Sequence, residues 1–318
     1  MSDLERRRLG SAGPEVTVLG FGAMELRGTP HRNPRPLEES VAAAVLNTVL
    51  DEGINFIDTS IDYALSEERI GTHIGHRRDE YVLATKAGCP LDFQPDATAG
   101  KPLAHDYSAA HIRAGVEQSL RRLRTDRLDL LQLHISPSLE VLNREHVVST
   151  LSALQAEGKI LAFGVSATAP AIDDHLTIAE FTALQVPFSA LERDLESRIE
   201  LAGDRGVGII VRGGVAQAGK REKKAADGRT VTFADTGLDE LRDGDTPAAF
   251  LLRYAITTPG VTTIIAGTAD PSHVRDNAEA ARRGPLPADI YAEARRRLDA
   301  AGITSAPIPD AASRRELA

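Results

Sequence analysis

The sequence predicts an α/β fold: one (β/α)8 TIM barrel over residues 1–318, with an amino-terminal hairpin and a long loop after the seventh strand. Three observations predict it. Eight short apolar runs alternate with eight segments of helical period, as parallel strands alternate with crossover helices. A doubly wound dinucleotide fold would place Gly-x-Gly-x-x-Gly after its first strand, but Gly20-Phe21-Gly22 is followed by Glu25 where the third glycine belongs. Several runs also end on charged groups that burial alone would exclude, as strands do at the carboxyl rim of a barrel. A chain of 318 residues could hold two domains, but it equally fits one barrel with insertions.

Taken in order, Glu5 to Ala23 holds a turn signal, Gly10 to Pro14, and reads as a hairpin leading into a first barrel strand, Val16 to Gly22. Glu38 to Glu52 is a helix with Val41, Val45 and Val49 on one face and Gly53 as its stop. Ile54 to Ile57 is a strand buried on both faces that ends on Asp58. Tyr63 lies in the next loop, and Ser66-Glu67-Glu68 opens a short helix to about Ile74. The run from Tyr81 finishes on Lys86, and a polar loop follows from Cys89 to Asp106.

Ser108 caps a helix with Ile112, Val116, Leu120 and Leu123 in register. Leu128 to Leu133 is a strand ending on His134, and a helix bearing Val147, Leu151 and Leu154 stops near Gly158. The strand from Ile160 to Val165 ends on Ser166; a helix over about Ala171 to Ala179 precedes the strand Ala183 to Val186. A helix from Leu195 leads to Gly206, and the strand Val207 to Val211 ends on Arg212. Gly213 to Asp245 is the longest irregular segment and carries Lys220, Arg221, Lys223 and Lys224; such loops are lids or mobile surface. Thr246-Pro247 and Asp270-Pro271 each open a helix with cap and proline in the favoured order, flanking the eighth strand, Thr262 to Ala266. A further helix, about Asp289 to Ala301, precedes a polar tail.

Composition narrows the function. Hydrophobic residues at 42% and charged residues at 26% suit a globular chain with a large core. A net charge of −9 disfavours nucleic acid or an anionic membrane as partner. Cys89 is the single cysteine, which excludes an internal disulfide and a cysteine-built metal centre, fits the reducing cytoplasm, and leaves Cys89 a passive role. The amino end lacks an apolar stretch of signal-peptide type, and no run reaches membrane-spanning length. The expectation is a cytoplasmic protein without a metal.

Asp58, Lys86 and His134 end the second, third and fourth barrel strands, so they meet at one rim with Tyr63 just beyond. Each has an ordinary explanation alone: a helix cap, a snorkelling lysine, a bonded core imidazole. Together they form a proton-donating site. A free phenol has a pKa of about 10, and a neighbouring ammonium favours its ionised form. Asp58 would pair Lys86, and His134 would orient a carbonyl oxygen. The set lacks a nucleophile for carbon, so a separate hydride donor is implied.

These residues, in this order and on these strands, resemble the catalytic tetrad of the aldo-keto reductases. The likeness spans nearly the whole chain: IDTSIDYALSEERIG, the ATK ending at Lys86, LLQLH, GVS at Ser166, LQV around Gln185 and AGTADPSHVRDN. The resemblance implies reversible carbonyl reduction by a monomeric or loosely associated barrel, with Tyr63 as acid, His134 as substrate orienter, and NADPH, or alternatively NADH, as cofactor. It further implies that Ser166 and Gln185 bond the nicotinamide carboxamide, that Arg212 takes the place of a stacking aromatic, and that Gly213 to Gly219 and Thr268 line the pyrophosphate. His273, Asp276 and Asn277 match the adenosine end. Ala167 stands where the family usually has asparagine. Gly267, Ala269 and His273 replace the family's permanent charges at the 2′-phosphate, and Asp270 beside them would repel one, so the NADPH preference is expected to be narrow unless the basic loop residues supply it.

Two other readings differ in class: a lyase using Lys86 as a Schiff base, and a regulatory barrel that keeps cofactor without turnover. A metal hydrolase is disfavoured because no His-x-His follows the first strand. The substrate is a small carbonyl compound of unspecified kind. Pocket loops are expected at His31 to Leu37, Cys89 to Tyr107, Ile135 to Glu145, Gly213 to Asp245 and after Ile303, with few aromatic residues.

Overall fold

The computed structural model describes residues 3–28, 37–91, 104–215, 223–224 and 230–308. A hairpin of β1 (Arg6–Arg8) and β2 (Glu15–Thr17) opens the chain. Eight parallel strands then close a barrel: β3 (Leu19–Gly22), β4 (Phe56–Asp58), β5 (Val82–Ala87), β6 (Leu128–Leu133), β7 (Ile160–Ser166), β8 (Ala183–Pro187), β9 (Gly208–Arg212) and, after a small hairpin of β10 (Lys223–Lys224) and β11 (Thr230–Val231), β12 (Val261–Ala266). The strands follow chain order, and β12 closes the ring against β3 with Ile264 opposite Leu19.

The helices are α1 (Glu39–Asp51), α2 (Ser66–His73), α3 (Ala109–Leu123), α4 (Leu139–Arg144), α5 (Val147–Ala156), α6 (Ile172–His175), α7 (Glu196–Asp204), α8 (Pro247–Thr257), α9 (Pro271–Arg282) and α10 (Ala288–Ala300). Among the described residues no helix is long and apolar enough to cross a membrane. The expected caps form: Ser108, Thr246 and Asp270 each accept a bond from a backbone N–H of the first turn.

Two apolar clusters follow from the alternation of side chains along each strand. One lies between strands and helices and takes Ile57, Leu83, Leu131, Val165, Leu184, Val211 and Ile264 together with Val45, Ile112, Leu151 and Leu251. The other fills the barrel with Phe56, Ala84, Leu130, Ala183 and Ile210, and the hairpin residues Leu9 and Val16 close its amino-terminal end. Gly20 is part of this packing: a Cβ there would stand 2.8 Å from Cδ1 of Phe56.

Four expectations shift. The first strand divides at Val18, because Thr17 belongs to the hairpin, where its N–H bonds Asn55 Oδ1 at 2.7 Å. That same asparagine delays β4, which starts at Phe56 rather than Ile54. The helix expected over 171–179 is one turn, α6. The segment expected as an open loop over 135–145 contains α4, capped by Ser138. The expected pocket segments at 31–36, 92–103, 216–222, 225–229 and 309–318 lie outside the described residues, as do Lys220, Arg221 and the side chains of Lys223 and Lys224.

Candidate active site

Strand alternation decides which groups reach the rim. Two places beyond the interior residues Phe56, Ala84, Leu130, Ala183 and Ile210, on the same face, stand Asp58, Lys86, Gln132, Gln185 and Arg212. His134 and Ser166 stand four places beyond Leu130 and Ala162.

Asp58 is buried at the centre. Its Oδ2 accepts from Lys86 Nζ at 2.7 Å, and its Oδ1 accepts from Gln132 Nε2 at 2.7 Å and Gln185 Nε2 at 2.8 Å. A carboxylate removed from water requires such partners. Lys86 also donates to the Thr59 carbonyl at 2.8 Å. Burial pushes Lys86 toward the neutral amine, but Asp58, with Tyr63 and Asp62, outweighs it and holds the pKa above the ordinary value. The group stays an ammonium.

Its nitrogen lies 4.8 Å from the centre of the Tyr63 ring. Burial raises the Tyr63 pKa, Lys86 lowers it, Asp58 and Asp62 raise it, and the net shift is upward. The sequence led to the opposite expectation. The lysine acts in the expected direction, but loss of solvent outweighs it.

The His134 ring meets Tyr63 edge-on, with 6.3 Å between centroids. Burial drives the His134 pKa far below its ordinary value against the pull of Asp62, with Lys86, His105 and Arg212 adding to the fall, so the ring is neutral. Its Nδ1 is 3.1 Å from Cys89 Sγ and 3.6 Å from Asp62 Oδ2. Burial, reinforced by Asp62, keeps the Cys89 thiol protonated. A thiol donating to Nδ1 leaves the ring proton on Nε2.

A cavity of about 1430 Å³ opens above this cluster. Asp58, Tyr63, His134, Ser166, Gln185 and Arg212 line one part of it; Gly213, Gly267, Thr268, His273, Asp276 and Asn277 line the rest. Lys86 does not reach the wall and is buried beneath; Gly214 does not line it either, and residues 216–219 lie outside the described residues. Ser166 Oγ donates to Gln185 Oε1 at 3.3 Å. Asp270 caps α9 through Ser272 N and Oγ, both at 2.8 Å, and does not line the cavity.

Several participants escaped sequence reasoning. Gln132 carried a signal, as a polar residue inside a leucine run two places before His134. Cys89 was expected to be passive, yet it touches the His134 imidazole. Arg283, which lines the cavity and pairs with Asp245, carried none.

A parallel barrel whose rim joins a phenol to a paired ammonium and a neutral imidazole has the build of an oxidoreductase. The chain belongs to the aldo/keto reductase family, whose model matches residues 18–298. It is similar to an uncharacterized oxidoreductase of Bacillus subtilis, 28% identical over 295 residues, covering 87% of this chain and 91% of that one. It is also similar to a D-threo-aldose 1-dehydrogenase of a Pseudomonas species, 28% identical over 315 residues, 89% and 94% covered. Among solved structures, an aldo-keto reductase of Bacillus halodurans in its holo form superposes with a TM-score of 0.78 at 29% identity, covering 92% of this chain and 96% of the other. An aldo/keto reductase of Klebsiella pneumoniae in complex with NADP and acetate gives 0.71 at 26% identity, with 96% and 98% covered.

Proposed function

We propose that the chain reduces an aldehyde, ketone or sugar carbonyl to the alcohol, taking hydride from NADPH or NADH with Tyr63 as general acid. The observation that carries this reading is one cavity lined both by Tyr63 and His134 and by Gly213, Gly267, Thr268 and Asn277. Its volume of about 1430 Å³ exceeds the roughly 300–1,000 Å³ of drug-sized sites, which suits a dinucleotide with a small substrate. Gly213 holds φ at +72°, and at Gly267 a Cβ would stand 2.7 Å from the Gly22 carbonyl, so neither position accepts a side chain without strain. The NADP held by the similar Klebsiella structure supports the same reading.

The dinucleotide, when bound, supplies the hydride. The remaining work falls to side chains of this chain. His134, neutral and protonated on Nε2, donates to the carbonyl oxygen and fixes its direction. Tyr63 passes its proton to that oxygen as negative charge develops there. The Lys86 ammonium steadies the phenolate left behind, and Asp58, held by Gln132 and Gln185, keeps Lys86 charged and in place. Ser166 and Gln185 retain donor and acceptor capacity for a carboxamide. A Schiff base at Lys86 would need the neutral amine that Asp58 opposes.

The far part of the channel sets His273, Asp276, Glu279 and Arg283 around Asn277, with Arg283 already paired to Asp245. Two carboxylates against one engaged guanidinium favour acceptance of both NADPH and NADH with a narrow preference. The substrate is a small molecule, and the barrel works as a monomer or weak oligomer.

The test is Tyr63→Phe. Carbonyl reduction should fall about 10²–10⁴-fold while quenching of NADPH fluorescence on binding stays nearly unchanged. Near-full turnover in the variant would remove Tyr63 from its role, and an unaltered protein that quenches neither NADPH nor NADH would overturn the reading.

A further inference from the structure

We propose that the barrel rim carries a zinc(II) site built from Cys89, His105 and His134, and that its occupation inhibits carbonyl reduction. Among the described residues these three form the group whose Sγ and imidazole nitrogens all lie within 4.8 Å of one another. The closest pair, Cys89 Sγ and His134 Nδ1, is at 3.1 Å. Ligands of a tetrahedral zinc ion, bound at about 2.0–2.3 Å, stand roughly 3.3–3.6 Å apart. The group therefore closes on an ion by side-chain movements of about an ångström, without a change of fold. One thiolate and two imidazoles are donors that zinc takes in preference to magnesium or calcium.

The backbone holds these donors ready. His111 Nε2 lies 2.8 Å from the Cys89 carbonyl oxygen, and the Tyr107 hydroxyl donates to the His134 carbonyl. Tyr107 also stacks on His105, with 6.1 Å between centroids. A single segment, from His105 into the start of α3, thus carries one donor and fastens the backbone of the other two.

Charge at the rim also favours a cation. The Asp58 carboxylate is spent on Lys86, whereas Asp62 places a further carboxylate 3.6 Å from His134 Nδ1. Lys86 and Arg212 oppose the ion, and Lys86 is largely offset by its partner. Zinc takes the place of the thiol proton between Sγ and Nδ1, since a coordinated thiol is deprotonated. His134 lines the cavity, while Cys89 is fully buried behind it.

An ion there sets a dication beside the Tyr63 ring, whose centroid is 6.3 Å from that of His134. It ties down His134, the imidazole that orients the carbonyl. This effect on turnover rests on the reductase reading; the binding of zinc does not.

The experiment titrates chelator-treated, full-length protein with cobalt(II) and then zinc(II). Cys89 is the only cysteine, so a thiolate-to-cobalt charge-transfer band reports this site directly. One cobalt per chain is expected to give the band, and zinc should abolish it. Reduction should fall by about 10²-fold or more, the scale of a lost oxyanion donor, and EDTA should restore it. Cys89→Ser and His105→Ala should each raise the zinc Kd by more than the roughly 10–100-fold typical of losing an outer partner. Absence of the band on the unaltered protein overturns the site. So does zinc binding that both variants leave unchanged, and zinc bound at the site without loss of turnover overturns the inhibition. Because the band is read without substrate, failure of the reductase reading would leave it in place, whereas failure of the site removes it.

Discussion

Tyr63 is set by opposing forces of similar kind: desolvation and two carboxylates raise its pKa, and one ammonium lowers it. A raised pKa keeps the phenol protonated through neutral pH, and the proposed reduction uses that protonated form. Reductive turnover should therefore persist as pH rises past 8 and decline only above the ordinary phenol value of about 10. A basic limb below about 9 in the rate profile, absent from Tyr63→Phe, would contradict this. Lys86→Met removes the charge beside the phenol and leaves Asp58 buried with two amides as its remaining side-chain donors. Breaking a buried pair this way costs about 3–5 kcal/mol, and reduction should also be severely impaired. Adding Asp58→Asn should recover part of the stability but not the turnover, as urea unfolding and steady-state rates can check. Asp58, Lys86 and His134 were legible because charged groups at the ends of apolar runs have few places to go in a barrel. The balance of forces on Tyr63 was not, because it depends on how much solvent the folded loops remove. The pairing of Cys89 with His134 was hidden for the same reason: it joins a loop to a strand end 45 residues away.

At the scale of elements, the barrel interior and the end of the long irregular segment are the sensitive places. Gly20→Ala would put its Cβ 2.8 Å from the Phe56 ring and 3.2 Å from the Phe56 carbonyl. Overpacking of that kind costs about 1–3 kcal/mol, so the melting temperature should drop; an unchanged value would mean that the interior relaxes freely. Asp245 closes the irregular segment by binding Arg253 at 2.6 Å, from within α8, together with Arg283 just past α9, its own side chain fully buried. Asp245→Asn should lose about 3 kcal/mol or more, since two guanidinium groups lose their shared carboxylate; chemical denaturation measures it. Caps such as Thr246 and Asp270 were legible because their chemistry is local. The break at Val18 and the shortening of α6 were not, because they involve contacts between distant segments, Asn55 with Thr17 and Arg198 with Asp173.

For the whole molecule, the alternation of strands and helices was sufficient to read the closed barrel, and failure of the glycine motif was sufficient to discard a doubly wound sheet. Glu25 broke that motif, and Gly20, its first glycine, serves the packing of Phe56 instead. The channel was less legible: Asp270 was expected to confront a phosphate but is spent on capping α9, while Arg283 enters from a helix end with no motif to announce it. What unites the account is one claim, that this barrel moves hydride to a carbonyl carbon and a proton from Tyr63 to its oxygen. The most direct measurement uses NADPH deuterated at the transferring C4 position with a panel of small aldehydes, ketones and sugars, and analyses the alcohols by mass spectrometry. The account predicts carbon-bound deuterium in the product, formed by the unaltered protein and depressed about 10²–10⁴-fold in Tyr63→Phe. Alcohol that carries no deuterium, or equal labelled product from both proteins, would contradict it.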